Sequence, residues 1–328
     1  MRMKAVRWRA YGPPEVLEVE ELDKPVPGER EVLIRVKATT VTAGDCEMRR
    51  MDFPLYFRVP LKLWLGLRRP RQPAVPGTEF SGEIEAVGQE VTRYSIGERV
   101  FGSTGLSFGT NAEYICLSED ADMATIPEGL GFGEAAAMPF GGRDSIHFLN
   151  KAALKRGETI LIIGAGGSIG TFAVQIAKER GLEVTAVDRR DKLDMLGLLG
   201  ADHVVDYERE EYIQPGIQYD AVLDIVCRQS VLKTARVLKR GGWLLMANPS
   251  FLQLLRALIL RTVHGKRVFS QASNGSTEDL RYLGALAKEG KLRSVIDREF
   301  SLEEIAAAHR FVETGSKKGN VVILLYVQ

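Results

Sequence analysis

The stretch that decides the fold is ETILIIGAGGSIGTFAVQIAK, residues 158–178. It reads as a buried apolar strand, a turn dense in glycine and an amphipathic helix. Such a turn lets backbone N–H groups and a helix N-terminus approach a pyrophosphate closely, so we predict that it binds a dinucleotide. The spacing is GxxGxxG, because an alanine stands where the first glycine of the common pattern would be. The alternative is a tight structural turn in an α/β domain without a cofactor. The residues predicted to form the binding loop are Gly164, Ala165, Gly167, Ser168, Ile169 and Gly170.

The next strand, LEVTAVD, ends at Asp188. A carboxylate at this position accepts hydrogen bonds from ribose hydroxyls and repels a 2′-phosphate, which favours NADH. Arg189 and Arg190 follow at once, and guanidinium groups recognise phosphate well, which favours NADPH. The arginine pair also fits an ordinary solvated loop. Both cofactors therefore stay open.

The pattern of apolar residues, glycine and proline changes along the chain. Residues 1–126 hold short β-branched runs separated by glycine and proline, which is typical of a mostly β domain. Residues 127–265 alternate strands with helices, including a helix through SVLKTARVLKRGG, which predicts a parallel sheet with crossover helices. Residues 266–328 pair two helices with a final apolar run, and we expect them to return to the first domain. The predicted fold class is α/β, a doubly wound sheet domain beside a mostly β domain.

The composition excludes several classes of protein. The 328 residues, 45% hydrophobic and 27% charged, are typical of a globular protein and not of a disordered or fibrous one. With 44 basic and 43 acidic side chains the net charge is +1, so no whole-protein field attracts nucleic acid. Cys46, Cys116 and Cys227 are too far apart for a disulfide framework, which predicts a reducing, cytoplasmic compartment. No apolar run reaches the length of a membrane span, so we expect no integral membrane contact.

Several long segments, in order along nearly the whole chain, carry a family resemblance. Besides the glycine loop they are AYGPPEVLEVEELDKPVPGEREVLIRVKA (10–38), VPGTEFSGEIEAVGQEV (75–91), NAEYICL (111–117), LGADHVVDY (199–207) and GKLRSVIDREFSLEEIAAAHRFVETGSKKGNVVI (290–323). Together they resemble the zinc-free, quinone oxidoreductase-like branch of the medium-chain dehydrogenase/reductase superfamily. The resemblance implies a GroES-like catalytic domain made of both chain ends, a Rossmann dinucleotide-binding domain between them, and a homodimer.

The resemblance also implies roles for single residues. Thr42 and Asp45 match polar positions that line the substrate cleft in this branch, and Tyr56 is a candidate for stacking on the substrate or donating a proton. Asp45 is equally well explained as a cap of the helix around CEMRR, and Tyr56 as a core residue. Lys192 and Tyr207 match positions that contact the 2′-phosphate in NADPH-dependent members.

The positions that hold zinc in zinc-containing relatives carry poor ligands here. Those relatives use a cysteine, a His-Glu pair and a late cysteine, where this chain has Thr42, Thr78 with Glu79, and Pro139. Cys46 falls beyond the first ligand position and is expected to be a small packing residue. No histidine shares a metal-ligand spacing with another histidine or a cysteine, so we predict no metal site. The histidines are His147, His203, His264 and His309.

The segment FGGRDSIHFL, residues 140–149, departs from the family pattern. Where the branch usually has a threonine near the nicotinamide, this chain has Asp144, preceded by Arg143. The simplest explanation is a helix N-cap, and the alternative is a carboxylate beside the nicotinamide that titrates near neutrality if buried. The candidate cofactor-binding residues outside the loop are Asp144, Asp188, Arg189, Lys192 and Tyr207.

Two segments combine apolar with basic residues. They are FPLYFRVPLKLWLGLRRPRQP (53–73) and FLQLLRALILRTVHGKR (251–267). One interpretation is peripheral contact with an anionic membrane, which would admit a hydrophobic quinone. The simpler one is that the first lines the substrate cleft and the second packs at a dimer or domain interface, because a basic amphipathic pattern alone does not distinguish them.

A site without a Lewis acid favours acceptors that spread negative charge over their own conjugated system. The sequence therefore predicts a zinc-independent oxidoreductase that transfers a hydride from NADPH or NADH to a small-molecule quinone or α,β-unsaturated carbonyl. One alternative is a zinc-free alcohol or aldehyde dehydrogenase that uses Asp45 or Asp144 as a base. Another is a non-catalytic, crystallin-like dinucleotide-binding protein, which the departures at Asp144 and Ala165 keep open.

Overall fold

The computed structural model describes residues 1–71, 74–214, 216–263, 265–271 and 273–325, so His264 and the end of the segment 53–73 lie outside the described residues. The described part of the chain divides into two compact units. Unit 1 comprises Met1–Pro139, Leu280–Lys288 and Ser294–Gln328, and unit 2 comprises Phe140–Asp279 and Glu289–Arg293.

Unit 1 consists mainly of β-strands. The strands are β1 (Arg2–Trp8), β2 (Leu17–Asp23), β3 (Glu31–Thr40), β4 (Glu79–Val87), β5 (Arg99–Ser103), β6 (Tyr114–Ser118), β7 (Met123–Thr125), β14 (Ile296–Ser301) and β15 (Asn320–Leu324). The helices are α1 (Ala43–Arg50), α2 (Leu55–Leu65), α3 (Phe132–Ala136) and α10 (Ile305–Glu313), and α9 (Thr277–Lys288) runs from unit 2 into unit 1.

The main sheet of unit 1 has the strand order β14-β15-β3-β4-β5-β7, with β6 also paired to β3. Strand β15 pairs antiparallel with β3, with Val322 opposite Thr40, so the last strand completes a sheet that begins near the other end of the chain. Alternate residues of β3, such as Val32, Ile34 and Val36, enter one buried cluster, as the period of a strand requires.

Unit 1 extends beyond residue 126, where the composition changes. Ala136 and Ala137, at the end of α3, share a buried cluster with Ala38 of β3 and Val322 of β15. These small side chains let α3 pack on the sheet, so this first part of unit 1 extends to Pro139. The main part of unit 2 likewise extends to Asp279, beyond residue 265, where the sequence analysis ended the dinucleotide-binding domain.

Unit 2 alternates helices with strands. In chain order its elements are α4 (Pro139–Ala152), β8 (Thr159–Ile163), α5 (Ser168–Glu179), β9 (Glu183–Asp188), α6 (Arg190–Leu198), β10 (His203–Asp206), β11 (Tyr219–Asp224), α7 (Val231–Thr234), β12 (Leu238–Met246), α8 (Phe251–Val263) and β13 (Arg267–Phe269). The strand order is β10-β9-β8-β11-β12-β13, and all the pairs are parallel.

The strand order of unit 2 reverses between β8 and β11. In open α/β sheets, ligands bind outside the carboxyl ends of the strands at such a reversal, which is where the glycine loop follows β8. The predicted fold class is therefore confirmed: a doubly wound parallel sheet in unit 2 and a mostly β unit 1.

The helix predicted through SVLKTARVLKRGG is wrong in its second half. Helix α7 ends at Thr234, and the strand β12 starts at Leu238. Leu244 pairs with Val222 of β11, and Leu238 is fully buried. Sheet pairing therefore outweighs the helical periodicity, and Gly241, with φ +75°, is a poor helix residue in any case.

Candidate functional site

The turn between β8 and α5 has the conformation that its glycines permit. Gly164 has φ +82°, in the left-handed region that favours glycine. A Cβ at Gly170 would lie 2.5 Å from Cα of Ala165, so the first turn of α5 packs directly on the backbone of the loop. Ala165 is fully buried, so its methyl group takes up none of the exposed surface of the loop.

The N-terminus of α5 is open. Gly167 is the N-cap residue, and as a glycine it has no side chain that could cap the N–H groups of the first turn. A Cβ built at Gly167 would meet one atom within 4 Å, the carbonyl oxygen of Gly164 at 3.8 Å. Ser168 and Ile169 form the start of the helix, where backbone N–H groups and the macrodipole favour an anion. The loop therefore fits a pyrophosphate group.

Asp188 lies at the end of β9 and is 5% exposed. Its Oδ2 accepts a hydrogen bond from the backbone N–H of Gly166 (2.7 Å), and its Oδ1 accepts one from the N–H of Arg189 (2.8 Å). Nζ of Lys192 lies 3.5 Å from Oδ1, and both side chains are buried. The carboxylate is thus held against the glycine loop by two N–H groups and one cation.

Gly166 is a residue that the sequence analysis missed. A Cβ there would lie under 3.0 Å from the Lys192 side chain and 3.0 Å from Oδ2 of Asp188. The glycine therefore lets the loop, the carboxylate and the ammonium group meet. The sequence did contain a signal, since Gly166 lies inside the glycine turn. It was missed because the GxxGxxG spacing includes only Gly164, Gly167 and Gly170.

Arg189 and Tyr207 lie next to this carboxylate and are more exposed. The guanidinium of Arg189 donates to both carboxylate oxygens of Asp191, at 3.2 and 3.1 Å. The backbone N–H of Tyr207 donates to the carbonyl oxygen of Asp188 at 3.3 Å. Burial, and after it the charge of Asp188, raises the pKa of the Tyr207 hydroxyl. The structure thus brings together the glycine loop, Asp188, Arg189, Lys192 and Tyr207.

Asp144 is not an N-cap residue, so that interpretation is wrong. Helix α4 begins at Pro139, and Asp144 lies in its interior. The signal for the true start is the proline itself, which is favoured in the first turn of a helix. Burial raises the pKa of the Asp144 carboxyl to about 6, although the neighbouring Arg143 lowers it. Arg143 is buried, and a Cβ at Gly275 would overlap its guanidinium, so the chain at Gly275 packs directly on this arginine.

Thr42 and Asp45 form the capping box of α1. The hydroxyl of Thr42 accepts a hydrogen bond from the N–H of Asp45 (3.1 Å) and donates one to its Oδ2 (2.6 Å). The N–H of Thr42 donates to the same oxygen at 2.8 Å. Burial raises the pKa of Asp45, whereas the hydrogen bonds from Thr42 lower it. The capping interpretation of Asp45 is confirmed, and a catalytic role for either residue stays a prediction.

Tyr56 lies in the first turn of α2 and is 56% exposed, so the interpretation of it as a core residue is wrong. Its predicted role at the substrate site stays a prediction. Thr42, Asp45 and Tyr56 all belong to unit 1, whereas the cofactor candidates belong to unit 2.

The positions that correspond to zinc ligands have other roles. Glu79 is 1% exposed and accepts a hydrogen bond from the hydroxyl of Thr40. The carbonyl oxygen of Thr78 accepts a hydrogen bond from the N–H of Thr104 at 2.8 Å. Pro139 begins α4. Among the described residues, no group of three or more His, Cys, Asp or Glu side chains is placed to hold a metal ion.

Cys46 and His309 form a buried pair that sequence spacing did not predict. Sγ of Cys46 in α1 lies 3.3 Å from Nδ1 of His309 in α10. Burial raises the pKa of the Cys46 thiol to about 12. Burial, and after it the charge of Arg49, lowers the pKa of His309 to about 3. Both groups are therefore neutral near pH 7, and the pair is a packed contact between helices far apart in sequence.

Two family models match the chain. One is the alcohol dehydrogenase GroES-like domain, which matches residues 28–138, and the other is described as zinc-binding dehydrogenase and matches residues 199–323. The first match lies in unit 1, and the second spans parts of both units.

Relatives and solved structures cover almost the whole chain. A 2-methylene-furan-3-one reductase of Solanum lycopersicum is 32% identical over 98% of this chain and 79% of the relative. A quinone oxidoreductase of Pseudomonas aeruginosa is 30% identical over 98% of this chain and 99% of the relative. The structure of the quinone oxidoreductase from Coxiella burnetii matches with a TM-score of 0.87 and 30% identity, over 99% of this chain and 100% of that one.

Proposed function

Because the chain belongs to the quinone oxidoreductase-like branch of the medium-chain dehydrogenase/reductase superfamily, we propose that it reduces a quinone or an α,β-unsaturated carbonyl with NADH or NADPH. The relatives support both acceptor classes: two are named quinone oxidoreductase, and one is named for a ketone conjugated with a methylene group. When bound, the reduced nicotinamide supplies a hydride and is oxidised. The acceptor gains that hydride and a proton from solvent or a hydroxyl group.

The observation that carries this proposal is the glycine loop of unit 2. Gly164 makes the turn, Gly170 lets α5 pack on the loop, and Gly167 leaves the helix N-terminus open to an anion. Ser168 and Ile169 complete the predicted pyrophosphate site. In this proposal the backbone of the loop binds the pyrophosphate of the dinucleotide. The side chains near the end of β9 contact the ribose and so determine the preference between NADH and NADPH.

We propose that NADH is preferred. Asp188 is held at the end of β9 by the N–H groups of Gly166 and Arg189; in this proposal it contacts the ribose, and its charge repels a 2′-phosphate. The ammonium of Lys192 is buried against this carboxylate, so it is engaged before a phosphate arrives. Tyr207 and Arg189 are more exposed, and they are the proposed contacts for a 2′-phosphate once the repulsion is removed, although Arg189 would have to exchange its ion pair with Asp191 for the phosphate.

We propose that the reaction needs no zinc. Protein zinc sites are built from cysteine, histidine and carboxylate ligands, and of the corresponding positions Thr42, Thr78 and Pro139 provide none of these. Thr42 is engaged in the capping box of α1, and Glu79 in a hydrogen bond with Thr40. A quinone or enone spreads the incoming charge over its own conjugated system, so it needs less stabilisation from a metal than a simple carbonyl does.

Two carboxyl groups have proposed roles in the reaction: Asp144 of unit 2 with the cofactor candidates, and Asp45 of unit 1 with the substrate candidates. The near-neutral pKa of Asp144 makes it the better candidate for holding a proton close to pH 6. Asp45 fixes the hydroxyl of Thr42 through the capping box, so it is proposed as a positioning residue. Tyr56 is retained as a proposed substrate contact on the strength of its match to the family.

We also propose a cytoplasmic homodimer. The compartment is supported by the cysteines, since Cys46, Cys116 and Cys227 are all free thiols. The dimer is supported by family membership.

The proposal is tested by kcat/KM for an enal and its saturated aldehyde, with NADH and with NADPH, before and after chelation. We expect kcat/KM for the enal to exceed that for the saturated aldehyde by about a thousandfold or more. This is the size of the Lewis-acid stabilisation that a saturated carbonyl would need and that a site without a metal does not supply. Activity should survive the chelator, and elemental analysis should find no stoichiometric zinc. Equal turnover of the two aldehydes would favour the alcohol dehydrogenase alternative, and tight NADH binding without turnover would favour the non-catalytic one.

A further inference from the structure

The helix α2 and the turn after it expose an unusual amount of apolar surface. In the described residues of this segment, seven large apolar side chains are each 48–66% exposed. No residue of α2 is fully buried. The seven are Leu55, Tyr56, Phe57, Val59, Leu63, Trp64 and Leu67. Burying such side chains is strongly favourable, so a surface of this kind marks a binding site for another apolar phase or protein.

The helix is nevertheless anchored to unit 1 along its other side. Leu65 packs against the cluster that contains Trp8. The hydroxyl of Tyr11 donates a hydrogen bond to the carbonyl oxygen of Gly66 at 2.7 Å. The backbone N–H of Arg71 donates to the carbonyl oxygen of Leu65 at 2.9 Å, so the turn 66–71 folds back beside the helix. The apolar face is therefore presented by a fixed element.

The charge of the segment is entirely positive. Residues 53–71 carry five cationic side chains and no aspartate or glutamate, although the whole chain has a net charge of only +1. Electrostatic attraction is thus local to this segment and acts over about one Debye length, roughly 8 Å in physiological salt. The five are Arg58, Lys62, Arg68, Arg69 and Arg71.

We propose that α2 and the following turn, residues 55–71, dock on the surface of a bilayer that contains anionic lipids. Aromatic and leucine side chains, here Phe57, Trp64 and Leu63, insert at the level of the headgroups while arginines bind the anionic headgroups. The contact is peripheral. Among the described residues, no helix is long and apolar enough to cross a membrane.

A second copy of the chain is a poorer occupant of this face. The common dimer is two-fold symmetric, so each copy would present the same patch to the other. Five cations on one copy would then face five on its partner without an acidic side chain from the segment, and like charges facing each other destabilise an interface. An anionic lipid surface neutralises the same cations. The inference stands independently of the proposed function, because it uses only the surface of unit 1.

The test is co-sedimentation of the full chain with vesicles of phosphatidylcholine alone, or of equal parts phosphatidylcholine and phosphatidylglycerol. We expect binding to the anionic vesicles, weakened by salt, with a blue shift of tryptophan emission as Trp64 enters the lipid. The double variant Leu63→Glu/Trp64→Glu should lose at least about tenfold in affinity. The variant Arg68→Gln/Arg69→Gln should lose about thirtyfold, as expected from roughly a factor of five for each cation removed near the membrane.

The control is Ile96→Glu, which likewise replaces an exposed apolar side chain of unit 1 with glutamate; Ile96 is 67% exposed and lies outside the segment. It should bind the anionic vesicles like the unchanged chain. Absence of binding, equal binding to both kinds of vesicle, or an equal loss in the control would overturn the proposal. So would sedimentation showing that Leu63→Glu/Trp64→Glu converts a dimer into a monomer without affecting vesicle binding, since the face would then belong to a second copy.

Discussion

At the scale of single residues, the site depends on one buried charge at the end of β9. Asp188 is held by the N–H groups of Gly166 and Arg189, and Lys192 compensates its charge at 3.5 Å. The sequence predicted both an acidic and a basic residue here but left their relation open. In the structure the two form a buried ion pair, so a substitution of Asp188 both removes a carboxylate and frees the ammonium group of Lys192.

The first residue prediction concerns cofactor choice. Asp188→Ser removes the repulsion and releases the ammonium of Lys192, so the ratio of kcat/KM for NADPH to that for NADH should rise. The expected change is about 1–2 kcal/mol, or roughly 5- to 30-fold, the size of one charge-assisted contact. Asp194→Ser, on the exposed side of α6, is the matched control and should leave the ratio unchanged. A variant that weakens both cofactors equally would show that Asp188 does not face the ribose.

At the scale of elements, the strand-turn-helix unit β8-α5 is the part of the molecule that sequence describes best. Its glycines have distinct structural tasks, and Gly170 has the strictest one. A Cβ at this position would lie 2.5 Å from Cα and from the carbonyl carbon of Ala165, and backbone atoms cannot move aside as a flexible side chain can.

We therefore expect Gly170→Val to displace the N-terminus of α5 from the loop. Overpacking of this kind costs about 1–3 kcal/mol of folding stability, and NADH affinity should fall at least tenfold because the helix N-terminus moves. The control is Gly197→Ala in α6, where a Cβ would meet no atom within 4 Å. That change should leave NADH binding intact and stabilise slightly, by about 0.5–1 kcal/mol. Titration of NADH fluorescence with thermal melting measures both quantities, and unchanged NADH affinity in Gly170→Val would contradict the assigned role.

At the scale of the whole molecule, stability should depend on pH through the buried His309. Its pKa is about 3 in the folded chain, against 6.5 for an unperturbed histidine. The unfolded chain therefore binds a proton between these values while the folded chain does not, so stability falls as pH decreases from about 6.5 to 3. The loss is at most roughly 1.4 kcal/mol per pH unit, which amounts to about 2 kcal/mol at pH 5.

Asp144 acts in the opposite sense, because its folded pKa of about 6 lies above the ordinary value of 3.8. It contributes a destabilisation that grows as pH rises from 3.8 to 6, so the two groups partly offset each other. The variant His309→Gln should therefore show a shallower fall of Tm from pH 7 to pH 5 than the unchanged chain. His203→Gln, at an exposed site, is the control and should keep the original slope. Identical slopes in all three proteins would mean that His309 is solvated.

The sequence by itself determined the features that are local or periodic. The glycine loop, the acidic end of β9, the alternation of strands and helices, and the capping of α1 by Asp45 all follow from short-range backbone constraints, which act within a few residues. The fold class followed from the same periodicities. Where local signals compete, the sequence was ambiguous. Both Pro139 and Asp144 are residue types that favour a helix start, and only the structure shows that α4 begins at Pro139.

Only the tertiary structure decided what depends on contacts between distant segments. Strand β12 replaced the second half of a predicted helix because β11 required a partner. Cys46 met His309 because α1 packs on α10, and Gly166 gained its role because Lys192 and Asp188 fold over it. The exposure of α2 could not be predicted either, because an apolar and basic pattern does not indicate whether another element covers the helix. Burial and long-range pairing are properties of the assembled chain, so local pattern cannot supply them.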